Sequence, residues 1–512
     1  MEQQEPISID NMKPRKSIVV NMLFGFLSWI LPGILVFFST PIIVKALGTK
    51  EYGIYALIFG FISYSLSFTI GKAVTKYVAE YKPSGDHKKI NDVISATFFL
   101  SILIGAAAAL ILSGAAGWLV RYVFEIDISA QQKSIESFYL AAAVLLFYML
   151  WQVFSSVVTG LHRFDVYSYI TTLYGVLLAG GNIALALLGY GLVTLFWWSL
   201  ATNITICLVS YVFARLLYPE MRIRLWFQRE TLFLVMKFSS GVILAQIFAN
   251  ILLLFERGII TRYLGVESLT YYAIPMTLAI YIQSFVGSFM IVVFPIASEL
   301  GRQQQEKQTA LYERTMKFAV TMVAFIAVTM ITASRLFLTN WVGEVIAENS
   351  TSIMVLQVLI FSLMTIGAIS WQLAEGLGHP NYNALQSFVW TAIGGVLMII
   401  FISWWGNFGV ALGRLAGVLA IPFSILYVEH WLLGKTLWGF WVKLLSVVLT
   451  AAVIAGLVEW LIYYALPGSW LTLMAGGGAG LLAFGGMLFI LGWYTPYEKQ
   501  LLVRLKPWAR EA

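Results

Sequence analysis

Lys72 and Lys76 stand one helical turn apart in a run that is otherwise apolar, with Ser65 and Thr69 upstream. The spacing i, i+4, i+7, i+11 places all four on one face of an α-helix. Ser239, Gln246, Asn250 and Arg257 form a second polar face on a later helix, and Arg414 sits deep inside another. At about 1.5 Å per residue, Arg414 is roughly 12 Å from the outer end of its helix. A Lys or Arg at the centre of a spanning helix costs about 2.5–3.5 kcal/mol. Charge-assisted hydrogen bonds from ammonium and guanidinium groups suit phosphate oxygens, so the chemistry of this set is the holding of an anion. The plainer alternatives are that the lysines snorkel to a membrane surface and that the polar stripes pack helix against helix.

These residues need helices to carry them, and the composition supplies little else. The chain has 512 residues, 60% hydrophobic and 11% charged, with mean hydropathy +0.84. Soluble domains average about 45–50% apolar and about 25% charged. The charges are too few to cover a soluble globule, and the hydrophobicity excludes disorder. A single cysteine, Cys207, excludes a disulfide framework and a cysteine metal cluster. None of the four histidines, His87, His162, His379 and His430, has zinc-ligand spacing to another. The expected fold is an all-α integral membrane protein. Allowing roughly 36 residues per span and connection gives about 14 helices. They are expected at 17–45, 53–82, 91–120, 133–160, 167–189, 191–217, 235–263, 267–299, 309–338, 351–377, 381–405, 408–431, 436–465 and 470–494. Two of the connections are tight hairpins, at Gly189-Tyr190-Gly191 and Trp405-Gly406-Asn407.

Fourteen helices put both termini on one side. With Lys13, Arg15 and Lys16 assigned to the cytoplasm, 24 of the 32 Lys and Arg fall on that face or its helix ends. Seven fall on the other, and Arg414 lies inside a span. This is the positive-inside bias, and the net charge of +7 fits loops facing anionic lipid better than nucleic acid.

The stretch Lys45-Ala46-Leu47-Gly48 through Tyr52, Tyr55 and Ala56 returns as Arg262-Tyr263-Leu264-Gly265 through Leu269, Tyr272 and Ala273, at an offset of 217. Trp151-Gln152 and Gly160-Leu161 return as Trp371-Gln372 and Gly376-Leu377, and Gly191 as Gly409. A six-helix repeat enters the membrane from the same side twice, so the copies are expected to be related by an axis along the membrane normal. The expected organisation is a cytoplasmic tail at 1–16, an N-lobe at 17–217, a linker at 218–234, a C-lobe at 235–431, two further helices within 432–495 and a cytoplasmic tail at 496–512.

The basic-x-Leu-Gly-x-x-x-Tyr-Gly-x-Tyr-Ala pattern resembles the polysaccharide transporter family, as does Gly71-Lys72-Ala73-Val74-Thr75-Lys76-Tyr77-Val78-Ala79-Glu80. Phe294-Pro295-Ile296-Ala297-Ser298 resembles the end of that family's eighth helix. The family holds O-antigen and exopolysaccharide lipid flippases and belongs to the superfamily of multidrug extrusion proteins and the lipid II flippase. The resemblance implies a bacterial plasma-membrane flippase for an undecaprenyl-pyrophosphate-linked oligosaccharide. It implies no catalysis, no cofactor and no nucleic acid, and leaves a coupling ion, H+ or Na+, open. Partners would be the lipid-linked substrate, membrane lipids, and a polymerase and glycosyltransferases of the same biosynthesis.

From charge and face, the expected substrate-binding set is Lys72, Lys76, Arg257, Arg414, Asn250, Gln246, Ser65 and Thr69, lining a cleft between lobes. Stripes on the first and eighth helices (Asn21, Gly25, Ser28, Pro32 and Ser39; Thr277, Tyr281, Ser284 and Ser288) would line it too. Pro32, which removes a backbone donor in mid-helix, is the expected hinge. Arg414 is expected to be unpaired, Glu256 and Arg257 to form a local ion pair or a ligand site, and Glu375 and Glu459 to be interfacial. A multidrug or cation antiporter would favour membrane-embedded carboxylates. A membrane glycosyltransferase or polymerase would need a sizeable outer loop, and a scaffold would not need the stripes. Gly434-Lys435-Thr436 lacks the upstream glycine of a phosphate loop, and Gly478-Ala479-Gly480 lies inside a helix without a preceding strand.

Overall fold

The computed structural model describes residues 16–65, 71–224, 229–290, 305–376 and 379–494. The described residues are helical almost throughout: α1 Lys16–Gly60, α2 Gly71–Tyr81, α3 His87–Trp118, α4 Ile128–Gly160, α5 Phe164–Leu187, α6 Leu192–Leu217, α7 Arg229–Leu264, α8 Val266–Met290, α9 Gln305–Thr332, α10 Ser334–Val342, α11 Glu344–Gly376, α12 Pro380–Val418, α13 Ala420–Leu432, α14 Trp438–Ala465 and α15 Trp470–Ile490. Eleven helical runs among the described residues are long and apolar enough to cross a membrane. One of them, Tyr382–Leu432, covers two expected spans, because the break between them is a single residue, Gly406. The protein is an all-α multi-pass membrane protein.

Several of the breaks fall at glycines with positive φ. Gly48 (φ 73°) interrupts α1, and Gly265 (φ 86°) separates α7 from α8, 217 residues later. Gly189 (φ 78°) ends the α5 turn and Gly406 (φ 54°) interrupts α12, again 217 residues apart. Only glycine enters this backbone region without a steric penalty, so the repeat seen in the sequence is also a repeat of helix ends.

Two expectations about continuity are corrected. The helix expected over 53–82 is interrupted by a π-turn at Phe61–Ser65, which adds a residue to the turn and shifts the helical register. Residues 66–70, which join Ser65 to the helix of Lys72 and Lys76, lie outside the described residues. The helix expected over 309–338 breaks at Ala333, between α9 and α10.

The chain divides into two compact units, Met1–Asn250 and Ile251–Ala512. In the first, α4 is the core helix, with Ala141, Ala142, Leu145, Met149, Val153, Val157 and Val158 buried. Helix α2 docks on it at close range: a Cβ at Gly71 would overlap Ser156 of α4. The Thr75 hydroxyl also donates to the Ser156 carbonyl at 3.2 Å and lies 2.9 Å from the Thr159 hydroxyl. The Asp86 carboxylate caps α3 by accepting the Lys89 N–H at 3.0 Å. That bond and the Lys89 ammonium hold its pKa below the usual carboxylate value.

In the second unit, α11 is packed against α8, α9, α12 and α13. Helices α14 and α15 dock on α9 through Val320, Leu444, Val448, Ala451, Ala455, Phe484 and Leu488. The outer face of α14 exposes Val442, Leu449, Val453, Leu457, Trp460 and Tyr464, an apolar stripe of the kind a bilayer covers.

Candidate functional site

The most concentrated charge lies inside the second unit. Helix α7 carries Glu256 and Arg257, both buried, about two turns before its end, and α12 brings Arg414 to Glu256. One Arg414 amino group, Nη1, donates to Glu256 Oε1 at 2.9 Å and to Oε2 at 3.1 Å. The Tyr272 phenol of α8 donates to Glu256 Oε2 at 3.0 Å, and Arg257 Nη1 lies 4.0 Å from Oε1. Arg257 turns back to its own helix, donating to the Leu253 carbonyl at 3.2 Å. Met276 Sδ lies 4.0 Å from both guanidinium groups, and the Arg414 guanidinium lies 5.0 Å from the Phe361 ring centre. The Gln357 amide stands against the Tyr272 phenol. Arg414, expected to be the deep unpaired charge, is thus paired, because α7 places a carboxylate opposite it. Among the described residues the cluster holds two guanidiniums around one carboxylate.

Two further buried carboxylates sit in this unit without a cation in ion-pair range among the described residues. Glu429 of α13 accepts from the Tyr312 phenol at 3.0 Å, the Leu437 N–H at 3.0 Å and the Trp441 indole N–H at 2.6 Å. Glu459 of α14 is fully buried and accepts from the Thr329 hydroxyl at 2.8 Å and from Thr332. Its expected interfacial position is corrected: α9 and the bare surface of Gly480 enclose it, and a Cβ at Gly480 would overlap its carboxylate. Glu375, by contrast, is exposed at the end of α11. The sequence signals were faint: Glu429 lay in a stretch read only as a failed phosphate loop, and a threonine pair three residues apart on α9 is common.

Around Tyr55 the described interior of the first unit is polar and uncharged. Tyr55 stands against Asn182, Tyr174 against Asn203 and Tyr148 against Gln152. The repeat makes the contrast sharp. Glu256 and Arg257 lie six and five residues before Arg262; Ser39 and Thr40 lie six and five before Lys45. Both of those hydroxyls are buried and bond the Val36 carbonyl, at 3.1 and 2.8 Å. Tyr55 and Tyr272 hold equivalent places in the two copies. The charge therefore belongs to the second copy alone at this position.

Lys72 and Lys76 are exposed on α2, in the first unit, because Gly71, Ala73, Val74, Tyr77 and Val78 take its buried face. Lys76 Nζ lies 5.0 Å from the Tyr77 ring centre. Asn250 is half-buried on α7. Of the expected set, then, Arg257 and Arg414 meet each other in the second unit. Thr69 and the side chains of Ser65, Gln246 and Pro32 lie outside the described residues, although the α1 backbone runs through Pro32 and leaves helical dihedrals at Gly48. No group of three metal-ligating side chains occurs among the described residues. His87 instead places Nδ1 2.7 Å from the Tyr218 hydroxyl.

Residues 42–348 match a family model described as polysaccharide biosynthesis protein. A curated relative, "Putative O-antigen transporter" of Shigella flexneri, is 19% identical over 372 residues, covering 72% of this chain and 87% of its own. Among solved structures, the lipid II flippase MurJ in an inward closed conformation superposes with a TM-score of 0.72 at 13% identity, over 94% of this chain and 100% of that one. A multidrug resistance MATE family transporter of the MOP superfamily, inward-facing, gives 0.69 at 17% identity, over 82% and 99%. These structures share the fold, and they are named as flippases and transporters, not enzymes.

Proposed function

The chain belongs to the polysaccharide biosynthesis protein family, and from that membership we propose that it is a flippase for an undecaprenyl-pyrophosphate-linked oligosaccharide in the bacterial plasma membrane. The observation that carries this reading is the family match over 42–348, joined to a fold like that of the lipid II flippase over almost the whole chain. Transport would proceed by alternating access, with both termini in the cytoplasm and with H+ or Na+ as a coupling ion. A polymerase and glycosyltransferases of the same surface polysaccharide would be its functional neighbours.

The charges support a substrate with a pyrophosphate. Lys72 and Lys76 are exposed on a helix whose other face is locked to α4. Arg257 and Arg414 place two guanidiniums around the Glu256 carboxylate in a medium that screens charge poorly. We assign Arg414 the further task of joining α12 to α7, since its amino group reaches both oxygens of Glu256.

The test is transport of the lipid-linked oligosaccharide by the purified protein in liposomes, followed by enzymatic access to the sugar on the far side. Flipping that requires the protein supports the reading; a rate equal to empty liposomes overturns it.

A second reading, a multidrug or cation antiporter, draws on Glu429 and Glu459. Both are buried carboxylates without a cation partner among the described residues, the feature a cation antiporter would use. Proton-driven loss of a cationic dye from the same liposomes, abolished by Glu459→Gln, would favour it.

A further inference from the structure

The last turn of α6 and the chain that follows it form a pocket of about 470 Å³, lined by Tyr211, Arg215, Met221, Arg222, Ile223 and Arg224. That volume is within the range of ligand sites, about 300–1,000 Å³. The pocket is built rather than accidental. Arg215 Nη1 donates to the carbonyls of Pro219, at 2.9 Å, and Met221, which folds the chain back beneath the helix. Two side chains of α3 then hold that chain by its backbone. Asn91 donates to the Glu220 carbonyl at 2.9 Å and accepts the Arg222 N–H at 2.8 Å. The Ser95 hydroxyl accepts the Arg224 N–H at 3.0 Å. Arg222 and Arg224 are therefore placed by main-chain bonds, their side chains are exposed, and neither pairs with a carboxylate among the described residues.

What approaches the pocket is a second observation. Leu208, Tyr211, Val212 and Leu216 are exposed on α6, 38% to 68% of their surface. Positions 208, 211, 212 and 215 follow i, i+3, i+4, i+7, so an open apolar stripe runs along the helix to Arg215. A membrane-spanning helix with an open apolar stripe that ends in three guanidiniums matches a molecule with acyl chains and an anionic head.

We propose that this pocket binds the phosphodiester head of an anionic bilayer phospholipid, whose chains lie along the exposed stripe of α6. The guanidiniums suit the phosphate through paired N–H donors, and they sit in the last turn of a span and in the chain just beyond it, where a lipid head lies. Neither argument requires the chain to flip an oligosaccharide, so this site stands or falls apart from the proposed function.

The test uses the full-length purified protein and native mass spectrometry with phosphatidylglycerol and phosphatidylcholine offered in equal amounts. The wild type should retain phosphatidylglycerol preferentially. Equal retention of the two lipids overturns the proposal without any variant. Arg222→Gln and Arg224→Gln spare the backbone bonds, so the fold should persist, checked by an unchanged melting temperature. Each should lower phosphatidylglycerol retention about fivefold, and the pair on the order of 25-fold, from about 1 kcal/mol per basic residue near an anionic surface. Unchanged retention in the double variant of intact fold overturns the site. Inorganic phosphate is the other arm: displacement of the lipid by millimolar phosphate, with no effect of Leu208→Ser/Leu216→Ser, would mark a free-anion site and overturn the lipid assignment.

Discussion

Arg414 and Glu256 lie 158 residues apart in the chain and 2.9 Å apart in space, both almost wholly buried. Neither is tolerable alone there, since an ion in a low-dielectric interior must be paired and hydrogen-bonded. Tyr272 completes the carboxylate's bonding, and the Phe361 ring lies beside the guanidinium. The pair ties α7, α8 and α12 together and leaves Arg257 as the second cation of the cluster.

Glu256→Gln should destabilise the protein by about 3–5 kcal/mol, because it leaves a buried guanidinium uncompensated. Glu256→Gln/Arg414→Met should recover part of that loss. Thermal unfolding of the purified variants checks it; a Glu256→Gln protein as stable as wild type would remove the pair from the structural core.

The recurring helix breaks predict where alanine fails. Gly48→Ala and Gly406→Ala force a Cβ into positive φ and should cost about 1–3 kcal/mol each. Gly114→Ala, inside α3 with open space around it, should be neutral or stabilising by about 0.5–1 kcal/mol. Melting temperatures of the three variants make the comparison.

Lys72→Gln/Lys76→Gln should keep normal membrane expression, since both side chains are exposed on α2, and should slow flipping of the lipid-linked sugar severalfold. Near-normal flipping in the liposome assay would mean that the two ammonium groups only snorkel to lipid heads.

A cysteine at Lys88 or Arg224 should react with a membrane-impermeant maleimide only after the cells are opened. Cys207 is buried, so its background should be low. Labelling of position 88 in intact cells would reverse the orientation read from the charge count.

The Asp86 cap gives a pH dependence of known sign. Its folded pKa is lowered by the Lys89 N–H and ammonium, so the cap contributes stability above the unfolded value, about 3.9. That contribution disappears as the pH falls through the lower folded value. The stability difference between wild type and Asp86→Ala should be constant at neutral pH and shrink below about pH 4. A difference independent of pH would show that the carboxylate charge is not what caps α3.

The amino-acid sequence by itself determined the class of protein, the existence of most helices and the places where the chain must turn. Those properties are local or additive. Apolar runs of spanning length are visible in any window, charge bias is a count, and a glycine at a helix end can be read from its neighbours. For that reason Gly48 could be matched with Gly265, and Gly191 with Gly409, at nearly one offset before any coordinates. The π-turn at Phe61–Ser65 escaped because it depends on how α1 packs, not on its composition. What only the tertiary structure decided is which charges meet. Arg414 looked unpaired because its carboxylate comes from α7, and Glu459 looked interfacial because the threonines that bury it come from α9. A helix face predicts that a polar group must be satisfied. It does not name the partner, since the partner's distance along the chain has no bearing on its distance in space.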